Sequence, residues 1–512
     1  MRKTALTLAV VLTLPFVTGS AFAMAPLADA TEQKNFTTVQ GLLQEQDIDV
    51  NAVQGDGSTA LHWAVYWDNI ELARALLARE ADVEAATRLG ATPLYLAAVN
   101  GNAAMLQLLL ESGADAKAPV LQNEETPLMF AARAGSVDAV RVLLDAGAEA
   151  DAKDGYRGAT ALLFAAEQGN ADVVQLLLER GANANARTNT IITESRRGPS
   201  LPTGGLTALM LASRENAAET VKVLLEHKAL VNQQSAEGHT ALLAAIQNAH
   251  VGVANTLLDA GADANLMNDR GWNPLYMAVK MRSLEKGTMP NPYVDMNGMY
   301  TLIERLLQSG ANVNARLQAD TEVHNSIRST WLDEAGGTAF LRASLCGDLK
   351  VMKLLLAHGA DPKIATTDGT TALMALSGVG YIKGFLKDVG AIEESKEAMR
   401  ILLDAGIDIE AENDDKVRAL HGAAHKNFVE GIQMLVDAGA DLTAHSNRAG
   451  QFQGEGALKG NTVLDWADGF QTGMESAIYN AEAVELLERM LTARKLPLER
   501  LAGTIGGRVV QQ

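Results

Sequence analysis

The sequence has almost no cysteine, and it lacks the motifs of common catalytic sites and the long apolar runs of membrane spans. It holds one cysteine in 512 residues, so no internal disulfide can form. Beyond its first residues it has no apolar run that approaches the roughly 20 residues of a bilayer span. It also lacks a Gly-x4-Gly-Lys-Ser/Thr phosphate loop and a Gly-x-Ser-x-Gly nucleophile turn. These absences argue against a disulfide scaffold, a membrane-spanning protein and the common nucleotide-binding and hydrolase classes.

The sequence is also short of positive charge. It contains 62 acidic and 43 basic residues, which gives a formal net charge of −19. A chain of this charge does not favour nucleic acid or anionic lipid surfaces, so we predict neither as a partner. If the charge steers association, the partner has a basic surface. The alternative interpretation is that the charge serves solubility alone.

What the sequence contains instead is one pattern, repeated. An apolar residue two positions after a threonine-like anchor recurs at intervals that are mostly 33 or 34 residues. A fixed period of this size marks a repeat array. The recurring residues are Leu61, Leu94, Leu128, Leu162, Leu209, Leu242, Leu275, Phe340, Leu373, Leu420 and Leu464.

Each repeat predicts a pair of short helices. Thr92 can cap the first helix, and Pro93 falls at the first helical position, where proline loses no hydrogen bond. The pair Ala97–Ala98 allows two helices to approach closely, and Leu108–Leu109 buries one face of the second helix. Gly113 then ends that helix in a left-handed conformation. Helices of about three turns or less are unstable alone, so the repeats must stack on one another.

These motifs resemble a known family. Thr92-Pro-Leu-Tyr-Leu-Ala-Ala98, followed by the Leu-Leu pair and Gly113-Ala-Asp115, is similar to the ankyrin repeat, and Thr59-Ala-Leu-His62 carries its Thr-x-Leu-His signature. The resemblance covers about residues 56–494. It implies an all-α ankyrin-repeat solenoid of about eleven helix-turn-helix units with β-hairpin fingers. It also implies a protein-binding surface on the concave face and the fingers.

The two ends of the chain differ from the array. Residues 1–23 combine a basic start, an apolar run over about residues 4–17 and the small-x-small sequence Ala21-Phe-Ala23, which predicts a secretory signal peptide cleaved after Ala23. Residues 24–55 are interpreted as an N-terminal capping half-repeat, and residues 495–512 as a C-terminal tail. We therefore expect an exported bacterial ankyrin-repeat protein, either periplasmic or secreted.

Six insertions interrupt the array. Those at about 188–204, 317–336 and 445–460 precede an anchor and lengthen a finger, and they recur every third repeat. Those at about 282–298, 378–395 and 469–480 lengthen the turn between paired helices. Long loops in a packed array are functional or disordered. We interpret them as decoration of one binding surface, and the alternative is drift on exposed loops.

The candidate binding residues fall at variable finger and first-helix positions. Trp63, Tyr66 and Trp67 have i, i+3 and i+4 spacing, which places them near one face of a helix. Such a cluster is typical of a binding hot spot, although packing against the cap would also explain it. The predicted partner-contacting residues are Tyr66, Trp67, Arg133, Tyr156, Arg157, Arg214, Trp272 and Lys280.

Catalytic and metal-binding signals are weak. His421 and His425 have the i, i+4 spacing of zinc-binding helices, but His421 matches the signature histidine of the repeat, whose usual role is a structural hydrogen bond. We therefore predict no catalytic residue, no metal site and no cofactor, and a non-enzymatic scaffold that binds one or more proteins. Two alternatives stay open: a metal-dependent or enzymatic site built by the inserted loops, and a passive spacer.

Overall fold

The predicted repeats fold as pairs of helices in the computed structural model. The structure describes residues 25–193, 201–282, 295–319, 332–380, 391–447, 461–469 and 479–499. The predicted signal peptide, residues 1–23, lies outside the described residues. The chain divides into an N-terminal unit, Met1–Tyr156, and a C-terminal unit, Arg157–Gln512.

Odd-numbered helices are the first of each pair and even-numbered helices are the second. The N-terminal unit contains α1 (Pro26–Glu32), α2 (Phe36–Leu42), α3 (Ala60–Tyr66), α4 (Ile70–Leu77), α5 (Pro93–Asn100), α6 (Ala103–Glu111), α7 (Pro127–Ala134) and α8 (Val137–Asp145).

The C-terminal unit continues the same alternation and adds two short hairpins. It contains α9 (Ala161–Gln168), α10 (Ala171–Glu179), β1 (Thr190–Thr193), β2 (Leu201–Gly204), α11 (Ala208–Arg214), α12 (Ala218–Glu226), α13 (Ala241–Gln247), α14 (Val251–Asp259), α15 (Pro274–Arg282), α16 (Met296–Gln308), α17 (Ala339–Leu345), α18 (Leu349–Ala357), α19 (Ala372–Ser377), α20 (Ile392–Asp404), α21 (Ala419–Lys426), α22 (Val429–Asp437), β3 (His445–Ser446), β4 (Asn461–Thr462), α23 (Val463–Gly469) and α24 (Ala481–Ala493).

Threonine, proline and glycine set the helix boundaries as the sequence predicts. The Oγ1 atom of Thr92 accepts the backbone N–H of Tyr95 at 3.2 Å, and Pro93 follows as the first residue of α5. Gly101 ends α5 with a φ of 66°, a left-handed conformation that glycine adopts without steric cost. Gly113, after α6, has a φ of 104°. The predicted starts and ends of this repeat are therefore confirmed.

Small and apolar side chains pack the helices together within each unit. The first helix α5 packs against α3 and α7, and Ala97, Ala98, Ala131 and Ala132 on α5 and α7 are fully buried. Their methyl groups allow close approach of the helix axes, which lie about 8–10 Å apart in packed helices. Leu109 of α6 is fully buried too, and burying one leucine contributes about 1.5–3 kcal/mol.

Polar side chains in the loops that follow second helices link consecutive repeats. Asn232 accepts the backbone N–H of Asp263 at 2.8 Å and donates to the carbonyl of Gly261 at 3.2 Å. Asn265 and Asn314 repeat this arrangement one and two repeats later. In the N-terminal unit the equivalent bonds run from the N–H of Asp82 to Asn51 and from the N–H of Asp115 to Glu84.

Two buried histidines tie a first helix to the finger of the next repeat. His421 accepts the backbone N–H of Arg418 through Nδ1 at 3.1 Å, so its Nε2 carries the proton and donates to the carbonyl of Ala444 at 3.3 Å. His62 makes the same pair of contacts with Thr59 and Ala91. Burial lowers the pKa of His421 to about 3. The structural interpretation of His421 is therefore confirmed.

The C-terminal unit also contains a buried charge cluster. The carboxylate of Glu334 is fully buried and accepts hydrogen bonds from Tyr276 at 2.8 Å, from Lys280 at 3.1 Å and from Arg342 at 2.8 Å. Tyr276 and Lys280 lie on α15 and Arg342 on α17, whereas Glu334 lies in the loop before α17. Tyr276 occupies the signature histidine position and, like the histidines, reaches the next finger.

The extended fingers coincide with the described strands. β1 pairs with β2 in antiparallel register, with Thr190 opposite Gly204, inside the predicted finger 188–204. β3 and β4 bracket the predicted finger 445–460. Most of the remaining finger, at 320–331, lies outside the described residues, as do 283–294, 381–390 and 470–478 of the lengthened turns.

Three helices are longer than the sequence pattern suggests. The second helices that follow the lengthened turns, α16, α20 and α24, each have 13 residues, or roughly three and a half turns. The expectation of about three turns or less is therefore slightly wrong for these helices. Their added turn lies at the N-terminal end, where the insertion supplies the extra residues.

The ends of the array also differ in detail from the prediction. The N-terminal cap contains a helix pair, because α1 precedes α2 and packs on α3, whereas the sequence interpretation recognised only the residues of α2. At the other end Asp465 replaces the signature histidine and accepts the backbone N–H of Thr462 at 2.8 Å. The first residues of the predicted tail are held, since Thr462 donates to the carbonyl of Glu499 at 3.1 Å. Residues 500–512 lie outside the described residues.

The buried neutral histidine predicts acid sensitivity. Because the pKa of His421 is about 3 in the folded chain and about 6.5 when unfolded, only the unfolded state gains this proton as the pH falls below 6.5. The free energy of unfolding then drops by about 1.4 kcal/mol per pH unit for this one group. The variant His421→Leu, with the residue found at the same position in other repeats, should show a shallower pH dependence. Urea unfolding at several pH values from 7 to 4 measures both slopes, and equal slopes would contradict the prediction.

Removing the carboxylate of Glu334 should destabilise the C-terminal unit. Glu334→Ala leaves the buried cations of Lys280 and Arg342 without their shared anion, and breaking one side of a buried ion pair costs about 3–5 kcal/mol. The matched control is Glu219→Ala, which removes an exposed carboxylate paired with Lys222 and should change stability by less than about 0.5 kcal/mol. Urea unfolding followed by circular dichroism tests this. Equal midpoints for the two variants would refute the role given to Glu334.

Candidate functional site

The predicted contact residues of the N-terminal unit lie along successive first helices. Tyr66 ends α3, Val99 lies near the end of α5 and Arg133 near the end of α7, each seven residues after the threonine at the N-cap position of its helix. All three side chains are exposed. Since α5 packs on both neighbours, these residues form a continuous row, which we call the inner row.

Three aromatic rings cluster at one end of the inner row. The ring centroids of Tyr66 and Trp67 lie 4.6 Å apart and those of Trp63 and Tyr66 lie 5.7 Å apart, both edge to face, while Trp63 and Trp67 stack at 6.4 Å. Tyr66 is 49% exposed. The predicted grouping of these residues on one face of a helix agrees with their positions in the structure.

The cap takes part in this aromatic cluster. The indole Nε1 of Trp63 donates to Gln54 at 2.7 Å, and Gln54 in turn donates to Asp29 and Glu32 of α1, each at 2.8 Å. The ammonium group of Lys34, just after α1, lies 3.5 Å from the centroid of Trp67. Packing against the cap thus accounts for Trp63 and for one face of Trp67, and it leaves Tyr66 exposed.

The inner row continues over a second aromatic pair. Tyr95 of α5 and Phe130 of α7 meet edge to face at 4.7 Å. Burial raises the pKa of Tyr95, and the nearby Glu125 raises it further while Arg133 lowers it. Arg133 is therefore close enough to influence this phenol. At the end of the unit Tyr156 is 67% exposed in a turn, and the side chain of Asp154 accepts its backbone N–H at 2.9 Å.

Two predicted arginines of the C-terminal unit meet on one carboxylate. Arg157 and Arg214 lie 3.5 Å and 3.2 Å from opposite oxygens of Glu167. Arg214 also contacts Glu215 at 2.8 Å, and the guanidinium of Arg157 lies 5.5 Å from the ring of Phe164. Both arginines remain partly exposed. The structure therefore brings together residues that are 57 positions apart in the sequence.

The other two predicted contacts are less accessible. Trp272 is half-buried, with its ring centroid 5.8 Å from that of His239 and 6.0 Å from the guanidinium of Arg270. Lys280 is buried and bonded to Glu334. Its place in the buried charge cluster corrects the expectation of an exposed side chain at this position. The reason is that Glu334, supplied by the next finger, covers the ammonium group.

Sequence reasoning missed four residues that shape these sites. Glu167 and Glu334 organise basic residues, Gln54 joins the aromatic cluster to the cap, and Val99 lies in the inner row. Val99 has a signal in the sequence, because it is 33 residues after Tyr66 and so at the same repeat position. The two glutamates and Gln54 have no such signal, because the repeat period does not predict which residues their side chains contact.

Among the described residues there is neither a metal-binding cluster nor a membrane-spanning helix. They contain no group of three or more histidine, cysteine, aspartate or glutamate residues arranged to hold a metal. Nε2 of His421 is engaged by Ala444, and the rings of His425 and Trp466 are nearly perpendicular, with their centroids 5.8 Å apart. Cys346 is buried. Over the same residues, no helix has the length and apolarity that crossing a bilayer requires.

Comparison with known proteins agrees with the repeat pattern. The B-cell lymphoma 3 protein of Homo sapiens is 32% identical over 191 residues, which is 36% of this chain and 36% of that protein. An ankyrin repeat protein of fowlpox virus (strain NVSL) is 29% identical over 183 residues, which is 36% of this chain and 43% of that protein. The chain thus matches less than half the length of these relatives.

The chain is also similar to a solved structure, and family models match much of its sequence. The ankyrin repeat domain of human ASB11 matches 47% of this chain and 99% of its own length, at 28% identity and a TM-score of 0.39. The family model for ankyrin repeats in three copies matches residues 27–120, 117–188, 192–268 and 209–286, and that for a single ankyrin repeat matches residues 335–367. These matches cover more than half of the sequence, and the chain belongs to the ankyrin-repeat family.

Proposed function

We propose that the chain is an exported scaffold that binds another protein through its first helices and fingers, without catalysing a reaction. Ankyrin repeats typically mediate protein–protein interaction. The observation that carries the proposal here is the inner row, where Tyr66, Val99 and Arg133 stay exposed at equivalent positions of consecutive repeats. Most other positions of these first helices are buried. The exposed aromatic, aliphatic and basic side chains of the inner row are therefore the ones that a partner can contact.

The dimensions and chemistry of the inner row favour a macromolecular partner. Tyr66 and Arg133 lie two helices apart in the row of first helices, which corresponds to a distance of roughly 16–20 Å. This distance exceeds the length of most small ligands. Tyrosine and arginine are enriched among the residues that dominate binding energy at protein interfaces. Tyr156 extends the available aromatic surface at the end of the same unit.

Export and partner charge are supported by the sequence. The basic, apolar and small-residue segments of residues 1–23 fit a secretory signal. This supports the periplasm or the cell exterior as the location and an exported bacterial ankyrin-repeat protein as the subclass. The net charge of −19 favours a partner with a basic surface.

A cross-linked capture from periplasmic extract tests the proposal. The full chain and its Tyr66→Ala variant are used as baits at low salt. Truncating a hot-spot tyrosine costs about 2 kcal/mol or more, or roughly a thirtyfold loss of affinity, so the variant should lose the partner that the unaltered chain captures.

The matched control is Tyr479→Ala. Tyr479 is 48% exposed, nearly the same as Tyr66, but it lies in the C-terminal unit just before α24. This variant should capture the partner as well as the unaltered chain does. Equal capture by all three baits would show that the inner row does not bind the partner, and the absence of any specific partner would reject the scaffold proposal.

A further inference from the structure

The aromatic cluster of the N-terminal unit already holds a cation. Lys34 follows the first helix of the cap in a left-handed conformation, with a φ of 56°, and is exposed. Its ammonium group lies 3.5 Å from the centroid of the Trp67 ring. The face of an indole ring attracts ammonium groups through its quadrupole, and tryptophan does so more strongly than the other aromatic residues. The ring of Trp67 is thus a cation-binding surface occupied by a side chain of the same protein.

Neighbouring rings hold the Trp67 ring in place. Tyr66 meets it edge to face at 4.6 Å, and Trp63 stacks on it at 6.4 Å. Trp63 is in turn fixed by its hydrogen bond to Gln54. A ring surface held in this way needs little rearrangement to accept a second cation in place of the first.

Negative charge lies beside the rings. Asp29 and Glu32 both accept hydrogen bonds from the amide nitrogen of Gln54, each at 2.8 Å, so the two carboxylates are close together. Both residues are exposed. Within the described part of the chain, neither carboxylate forms an ion pair with a lysine or an arginine. An incoming cation would find here both a ring face and two carboxylates without a basic partner.

We propose that this cluster is the docking site for a lysine side chain of the partner, and that Lys34 is an internal cation which that lysine displaces. The inference rests on the proposed protein-binding function and specifies the chemistry of the partner, namely an exposed lysine in a basic segment. Three observations choose this occupant: the ammonium group already present on Trp67, the two adjacent carboxylates and the acidic net charge of the chain. The partner's lysine takes the ring, and Lys34 moves into solvent.

Displacement makes an unusual prediction about Lys34. If Lys34 only packs the cap against Trp67, removing it should not improve binding of a basic ligand beyond a general charge effect. If it competes for the ring, Lys34→Met should tighten the binding of lysine by about threefold to tenfold, the range expected for a partly exposed cation–π contact. Trp67→Leu should weaken it, because the ring face is lost.

The test uses the full chain and an oligolysine peptide at low salt, with isothermal titration and tryptophan fluorescence as readouts. The matched control is Lys350→Met, which removes one positive charge from the C-terminal unit, where Lys350 lies 3.9 Å from the centroid of Tyr300. Lys34→Met and Lys350→Met therefore change the net charge equally. Circular dichroism checks that each variant keeps its helices.

Three results would overturn the lysine site. The first is that Lys34→Met binds oligolysine no more tightly than Lys350→Met does. The second is that Trp67→Leu binds oligolysine as well as the unaltered chain does. The third is that the unaltered chain does not bind oligolysine. The lysine site is supported if Lys34→Met binds oligolysine more tightly while Lys350→Met does not, and if a folded Trp67→Leu variant binds oligolysine more weakly. A native partner captured by the unaltered chain and lost with Tyr66→Ala would keep the scaffold function even if the lysine site fails.

Discussion

The structure depends on contacts between repeats, because no repeat can hold itself together. Apart from α16, α20 and α24, the described helices have nine residues or fewer, a length at which isolated helices do not persist in water. Each pair must therefore bury its apolar face on the next pair. The fully buried alanines of the first helices make that approach close enough, and the bonds from Asn232, Asn265 and Asn314 to the backbone of the following repeat fix its position.

Departures from the repeat pattern follow from the same constraint. Several large polar or charged side chains at buried first-helix positions have their partner in the next finger, since an unpaired charge is costly in the interior. His62 and His421 find theirs in backbone carbonyls of the next finger. Tyr276 and Lys280 find theirs in Glu334. Asp465, in the last described helix pair, makes the local half of the histidine's contacts, because it accepts the backbone N–H of Thr462.

Much of the fold could be predicted from the sequence because its signals are local. A threonine cap, a proline at the first helical position and a glycine after the second helix each act within one turn, so Thr92, Pro93 and Gly113 mark their boundaries directly. The two described hairpins lie where the insertions lengthen the fingers. The helix α1 was missed because the cap lacks the threonine anchor, although Pro26 stands at its first position.

The candidate site was less predictable because its geometry depends on distant residues. The period identifies Tyr66 and Arg133 as equivalent positions, but it cannot show that Lys34, 33 residues before Trp67, places its ammonium group on that ring. Nor can it show that Glu334 covers Lys280. In such contacts a side chain of one repeat touches a residue of the next. The repeat period of a single sequence does not predict which residues meet in this way. The function proposed here uses the part of the inner row that remains exposed after these contacts are made.

The most direct measurement of the stacking account is native-state hydrogen exchange at the amides that receive the bonds between repeats. Asp263, Asn312 and Asp361 are exposed loop residues, and their backbone N–H groups donate to Asn232, Asn265 and Asn314 of the preceding repeat. If these bonds hold the repeats in position, the three amides should exchange with protection comparable to that of the adjacent second helices. Exchange at the rate of an unstructured peptide, with the helices still protected, would contradict the account.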